Sequence, residues 1–217
     1  MRVLVVKLTS MGDVLHLMPA INDLCSKESD VVIDWMVEDS FAEIPSWHPN
    51  VDRVITVATR RWRRLAWSNI GEFFRFVTEL RSARYDVVID AQGLIKSALF
   101  SRMAKRNKGG YHAGYSDDSI KESPAAWFYR KKISIAREQH AIQRLRELFA
   151  TCFDYTFDSK NLNYGLEIEQ KVEHVDERSA TSNKPSILLF HGTTWPSKHL
   201  PDPICCLLYT SPSPRDS

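Results

Sequence analysis

Four short stretches carry residue types that can do chemistry. The first is Ser10-Met11-Gly12-Asp13, a lone carboxylate between the apolar run Val3–Val6 and a helix-patterned segment. The second is Arg60-Arg61-Trp62-Arg63-Arg64, four guanidiniums around one indole, a set whose planar forks match carboxylate and phosphate groups. The third is Asp90-Ala91-Gln92-Gly93 after another apolar run, followed by Lys96 and Ser97. The fourth is His191-Gly192-Thr193-Thr194 with Lys198 beyond it, hydroxyls and one ammonium at a strand-to-helix turn, which suits a phosphate. Each has a plainer reading. Asp13 serves as a helix N-cap, Asp90 as a buttress, and the arginines as a solvated basic patch. Gly12 lets the backbone approach a ligand or take a positive φ. A carboxylate bonded to helix N–H groups has a lowered pKa and is a weak base, a tension in the catalytic reading of Asp13.

These stretches sit at the ends of elements that place them. Strands are expected at Val3–Val6, Val31–Val37, Arg53–Val57, Tyr85–Ala91 and Ser186–Phe190. Their continuous apolar character fits parallel strands covered on both faces. Amphipathic helices separate them, one with Val14, Leu17, Ile21 and Leu24 on a stripe, one with Ile70, Phe73, Phe74, Val77 and Leu80 after a Ser68 cap, one with Ile142, Leu145, Leu148, Phe149 and Cys152. Pro19 should disturb the first helix close to Asp13. The alternation predicts an α/β doubly wound sheet, and in such sheets ligands bind outside the carboxyl ends of the strands. Arg60–Arg64 then falls in a loop after the third strand.

The totals narrow the function classes. With 217 residues, 43% hydrophobic, the chain can bury a real core. A net charge of +2 argues against bulk polyanion binding, so nucleic acid, with Trp62 stacking on a base, is a weaker reading of the arginines. No apolar run is long enough to span a bilayer, and Lys7 interrupts the first one, which reads as a strand and not an export signal. Cys25, Cys152, Cys205 and Cys206 show no metal or redox spacing, and the histidines show no His-x-x-x-His, so a reduced, cytosolic protein is the default. Asp-x-Asp, Gly-x-Gly-x-x-Gly, Walker A and Gly-x-Ser-x-Gly are all absent.

Residues 1–155 read as one Rossmann-like domain, 156–185 as a polar linker, and 186–203 as the start of a second α/β unit. Residues 204–217 end in Leu-Leu-Tyr-Thr-Ser-Pro-Ser-Pro-Arg-Asp-Ser, which resembles translated cloning-adaptor sequence. The expectation is that this tail is non-native and that the natural chain diverges near Pro203.

Six blocks, SMGDVLHLMPA, IPSWHP, RRWRR, YDVVIDAQGLIKSAL, QHAIQRLRELFA and HGTTWPSKH, occur in the order seen in the lipopolysaccharide heptosyltransferases of glycosyltransferase family 9. The opening Gly-Asp loop is shared with heptosyltransferase II and other relatives. IDAQGLIKSA and RRWRR look more like the heptosyltransferase I branch. The resemblance covers residues 1 to about 203. It implies a two-domain GT-B fold, an N-terminal acceptor-binding domain and a C-terminal donor-binding domain of which only the start is present. It implies inverting, metal-independent transfer of L-glycero-D-manno-heptose from ADP-heptose to the Kdo of Kdo2-lipid A, with no cofactor.

By position, Asp13 resembles the general base. Ser10, Gly12, Arg60, Arg61, Arg63, Arg64, Gln92, Lys96 and Lys121 resemble acceptor-side residues, and Thr193, Thr194 and Lys198 donor-diphosphate contacts. Lys121 stands where the family usually has an Arg, keeping the charge and losing the bidentate fork. Trp195-Pro196-Ser197 is less polar than usual, and the family's later Asp-Thr-Gly donor motif is absent, so the chain as written is expected to be inactive. Peripheral attachment to the cytoplasmic face of a Gram-negative inner membrane, through Trp62, Arg64 and Trp67, completes the implied picture. The alternatives are another family 9 transferase or a non-catalytic anion-binding module.

Overall fold

A computed structural model describes residues 1–62 and 68–166. The strand expected at Ser186–Phe190, the second domain, the tail and the site candidates Arg63, Arg64, Thr193, Thr194 and Lys198 lie outside these residues, as does Trp67.

Six strands form one sheet: β1 (Arg2–Val6), β2 (Val32–Glu38), β3 (Val51–Val57), β4 (Arg84–Asp90), β5 (Lys105–Tyr115) and β6 (Lys131–Ile133). Their order is β3-β2-β1-β4-β5-β6, and every neighbouring pair is parallel. The strand order reverses between β1 and β4, so the loops after these two strands diverge and leave a crevice at their carboxyl ends. The helices are α1 (Met11–Leu15), α2 (Met18–Lys27), α3 (Thr59–Trp62), α4 (Ser68–Leu80), α5 (Ile95–Met103) and α6 (Ala141–Phe153).

The two-residue period of each strand feeds two separate cores. Val3, Val5, Ile33, Trp35, Val37, Val87 and Ile89 face one side, where Ile21 and Leu24 of α2 meet Leu145, Leu148 and Phe149 of α6. Leu4, Val6, Met36, Ile55, Val57 and Val88 face the other, under Phe76 and Leu80 of α4. Both faces being covered explains the uninterrupted apolar runs.

Several expectations shift. The first helix is two helices, because Pro19 occupies the first turn of α2 and cannot donate to a preceding carbonyl. Arg60 and Arg61 lie in the short helix α3, not in a loop. On α4 only part of the expected stripe is buried: Ile70 and Phe74 are exposed. β5 and β6 were not anticipated. The Lys-Arg-Asn-Lys-Gly-Gly start of β5 masks a strand whose last four residues alone are buried. Residues 156–166, read as linker, carry no helix or strand, and Tyr164 and Leu166 pack against the first core. Arg146, itself buried, holds this segment by donating to the carbonyls of Asp158 and Asn161 while its other face pairs with Asp23 of α2.

Candidate functional site

Four segments converge at the crevice between β1 and β4. Lys7, Asp13, Ala91, Gln92, Tyr115, Ser119, Lys121, Ala141, Arg144 and Leu145 line a cavity of about 210 Å³. They come from the β1–α1 loop with the first turn of α1, the β4–α5 loop, the end of β5 with the turn beyond it, and the first turns of α6.

Asp13 is not the N-cap of α1. Ser10 is, and Asp13 sits three residues into the helix, from where its carboxylate reaches back. Its Oδ2 accepts from the Ser10 backbone N–H at 2.9 Å and from the Ser10 hydroxyl at 3.0 Å. Among the described residues no donor occupies Oδ1. Burial pushes the Asp13 carboxyl pKa up, but the Ser10 N–H, the Lys7 charge and the Ser10 hydroxyl together outweigh it and hold the group below its ordinary value. Asp13 is thus a fixed, ionised carboxylate with one oxygen anchored and one available. Gly12 takes a helical conformation with open space around its Cα, so its service is room and not a special φ.

Lys7, the first residue past β1, is buried, and its Nζ donates to the Ala91 carbonyl at 3.1 Å. Burial lowers its pKa, and Asp13 and Asp90 pull it back up. Arg144 donates to the Ser119 carbonyl at 2.7 Å, lies over the Tyr115 ring at 5.1 Å, and keeps a buried Nε with no hydrogen-bond partner among the described residues. With Lys121, the cavity sets three cations around one carboxylate. That favours an anionic ligand carrying a hydroxyl that can meet Oδ1.

Gln92 lines this cavity, but its Oε1 accepts from the backbone N–H groups of Leu8 and Thr9, so it ties the two loops together. Asp90, fully buried, acts as the buttress. It accepts from Gln92 N, Gly93 N, the Ser97 hydroxyl and the Tyr129 hydroxyl, and burial pushes its pKa up against the pull of those donors. Gly93 makes the turn possible with φ +71°.

The remaining described candidates stand farther along the same sheet edge. Lys96 donates to the Thr59 hydroxyl at 3.0 Å, which in turn donates to Glu38 at 2.6 Å. The Arg60 backbone N–H also goes to Glu38, and Arg61 bridges Asp39 and Glu72. Trp62 is half-buried among Phe73, Phe76 and Phe100 and donates its indole N–H to Glu72. Its ring is therefore mainly engaged in packing and its N–H is held by Glu72, unlike the solvent-facing indole expected.

Lys7, Tyr115, Ser119 and Arg144 were missed in the sequence. For Lys7 the signal was present: a lone ammonium directly after a buried parallel strand occupies the carboxyl end where ligands bind. Arg144 lies within the QHAIQRLRELFA block, but α6 also holds Arg146, whose role is structural, and type and spacing do not separate the two.

A Rossmann-like domain with an ion-lined crevice at its switch point has the geometry suited to an anionic or nucleotide-type ligand on the carboxyl edge of a parallel sheet. Comparison narrows that class. A family model, glycosyltransferase family 9 (heptosyltransferase), matches residues 73–203. Lipopolysaccharide heptosyltransferase 1 of Pseudomonas aeruginosa is 44% identical over 204 residues, covering 93% of this chain and 55% of that protein. The Escherichia coli K12 protein of the same name is 41% identical over 206 residues, covering 93% and 61%. The solved structure of E. coli heptosyltransferase WaaC with ADP-2-deoxy-2-fluoro heptose superposes with a TM-score of 0.78 at 36% identity, over 100% of this chain and 70% of that one. The chain belongs to glycosyltransferase family 9, the heptosyltransferases, whose structural neighbours have the GT-B fold. It spans about 55–61% of the length of these curated relatives.

Proposed function

We propose that the described unit is the acceptor-binding half of a lipopolysaccharide heptosyltransferase. In that reading, L-glycero-D-manno-heptose passes from ADP-heptose to a hydroxyl of Kdo in Kdo2-lipid A with inversion, without a metal. The observation that carries it is the cavity itself: Asp13 with Oδ1 available, beside Lys7, Lys121 and Arg144. The cations receive the carboxylates and phosphates of the acceptor and orient its hydroxyl. Asp13 takes the hydroxyl proton as the oxygen attacks the anomeric carbon. Its low pKa makes it a weak base toward a ground-state alcohol. The proton becomes acidic only as the C–O bond forms, so a fixed carboxylate at hydrogen-bond distance suffices. The diphosphate leaving group needs charge stabilisation, which Thr193, Thr194 and Lys198 supply in this reading.

Support for this branch of the family comes from two relatives of the same name above 40% identity, together with the solved neighbour, which binds an ADP-heptose analogue. The reading also has the protein act at the cytoplasmic face of the inner membrane. Among the described residues no helix is long and apolar enough to cross a membrane. Ile70 and Phe74, exposed on α4, offer apolar contact with the bilayer surface in place of Trp62.

The test is heptose transfer by the full-length gene product with Asp13→Asn. The expected loss in kcat is about 10²- to 10⁴-fold with acceptor affinity retained. Undiminished kcat overturns the role of Asp13. In the chain as given, Lys121→Gln should weaken binding of a Kdo disaccharide, and unchanged affinity removes Lys121 from the acceptor site.

A further inference from the structure

The opposite edge of the sheet, where the strands begin, carries a second concentration of charge that the transfer reaction does not use. Arg81 follows α4, Arg102 lies in the last turn of α5, Lys105 and Arg106 open β5, and Arg130 precedes β6. These five cations line a hollow of about 540 Å³, with Asn107, Gly109 and Gly110 on its wall and, among the described residues, no carboxylate in its lining. β4 and β5 are parallel, with Arg84 beside Lys105 at this end and Asp90 beside Gly114 at the other. The hollow is therefore separated from the Lys7–Asp13 cavity by the length of the strands.

Several cations elsewhere are matched, Arg2 and Arg53 with Asp34, Arg61 with Asp39 and Glu72, and Arg146 with Asp23, but unpaired ones are scattered singly or belong to the Lys7–Asp13 cavity. Among the described residues none of the five in the hollow makes an ion pair. Helix dipoles explain only a part. The carboxyl ends of α4 and α5 point to this edge, and two helix termini supply about one negative charge in total. About four positive charges are left uncompensated, and their mutual repulsion is relieved by a bound anion.

The hollow is also built. β5 bulges against β4, so Asn107–Gly110 stands out between the pairs Tyr85–Arg106 and Val87–Tyr111. Gly109 has φ +89°, and a Cβ on Gly110 would lie 2.7 Å from the Tyr85 carbonyl oxygen, so both positions require glycine. Arg106 donates to the Gly110 carbonyl at 3.0 Å, and Asn107 donates to Asp86 at 2.7 Å, which fixes the bulge. None of the exposed large apolar side chains, Phe74 and Trp127 included, lines the hollow, whereas a bilayer-docking surface combines basic with apolar groups.

We propose that this hollow binds a small molecule carrying two or more adjacent phosphoryl groups, at a site separate from the transfer reaction. Five convergent cations match a ligand of several negative charges, and the guanidiniums of Arg81, Arg102, Arg106 and Arg130 can each fork onto phosphoryl oxygens. The ligand is either a free oligophosphate or the diphosphate portion of a nucleotide.

Calorimetric titration of the chain with inorganic tripolyphosphate, pyrophosphate and ADP tests this. Arg81 and Arg130 are exposed and their side chains make no hydrogen bond to a described residue, so Arg81→Gln/Arg130→Gln should keep the fold, checked by circular dichroism. Saturable tripolyphosphate binding is expected, weakened about 100-fold in that double variant and unchanged in Lys121→Gln. ADP binding tighter than pyrophosphate identifies a nucleotide as the source, and equal or weaker ADP binding identifies a free oligophosphate. Absence of saturable binding overturns the site. So does binding lost in Lys121→Gln and kept in the arginine variant, or binding to phosphatidylglycerol vesicles that pyrophosphate does not displace.

Discussion

Replacing Asp34 by Ala tests how the sheet that carries the site is held. Asp34 in β2 has no exposed surface, and its two oxygens accept five hydrogen bonds. Arg2 supplies two, Arg53 two and the Tyr85 hydroxyl one at 2.7 Å, so one carboxylate stitches β1, β2, β3 and β4 together. Removing one member of a buried ion cluster costs about 3–5 kcal/mol. Here the guanidinium-bearing side chains of Arg2 and Arg53 are 30% exposed and can turn to water, and Arg2 keeps Asp52. That lowers the expected loss to about 2–3 kcal/mol. For a unit of this size it corresponds to a fall in Tm of roughly 4–12 °C. Urea unfolding followed by circular dichroism reads the loss, and Asp34→Ala with Arg53→Met completes a double-mutant cycle with coupling of at least about 1 kcal/mol. A pH series adds an independent check. Burial raises the Asp34 pKa but is outweighed by Arg53, Arg2 and Tyr85, so the folded pKa lies below the unfolded one. Its stabilisation is thus present above the unfolded pKa and lost as pH falls through the folded value, a slope absent in the Ala variant. A loss below about 0.5 kcal/mol or no coupling to Arg53 refutes the reasoning.

Gly114→Ala places a Cβ 2.5–2.8 Å from the Tyr129 ring, which the bond to Asp90 keeps in place; unfolding should show a loss of about 1–3 kcal/mol, and an unchanged midpoint would mean that the ring yields. His112 is buried, with Nε2 donating to the Ser101 carbonyl, and burial lowers its pKa to about 4. The unfolded chain binds the extra proton between the ordinary value of 6.5 and about 4, so stability should fall as pH drops through that window, and His112→Gln should flatten the slope. Lys7→Met removes a charge that holds Asp13 low, so carbon-13 NMR titration of the Asp13 carboxyl should show an upward shift. An unmoved pKa would mean that the two groups do not interact.

What the sequence revealed follows from where the information lies. β1, β2 and β4 are apolar runs buried on both faces, so burial itself writes them into the sequence. β5 is different, because its first half is the basic wall of the hollow and only His112–Tyr115 is buried, so polarity hid the strand. Asp13 was legible because it follows a strand and a glycine. Its state was not, since the Ser10 donors and the buried Lys7 are set by the tertiary fold. Trp62 misled for a related reason: four neighbouring arginines suggest a solvent-facing indole, while the phenylalanines that cover it come from α4 and α5.

The cavity and the hollow both follow from the strand order. A parallel sheet gathers strand ends and helix N-termini on one edge, and strand beginnings and helix C-termini on the other. On the carboxyl edge the reversal between β1 and β4 opens a crevice, and a cation placed there acts on whatever binds. Lys7 does so just past a strand whose buried residues Val3–Val6 are apolar, and its desolvation is partly offset by the Ala91 carbonyl and the nearby Asp13 and Asp90. On the amino edge, cations are favoured by the helix carbonyl ends and can accumulate at little cost until they outnumber the dipoles. Arg81, Arg102, Lys105, Arg106 and Arg130 exceed that number, and Gly109 and Gly110 fix the backbone beneath them. Charge added to neutralise dipoles needs no shaped cradle, so the combination of excess charge and an obligatory glycine pair marks this edge as a binding surface in its own right.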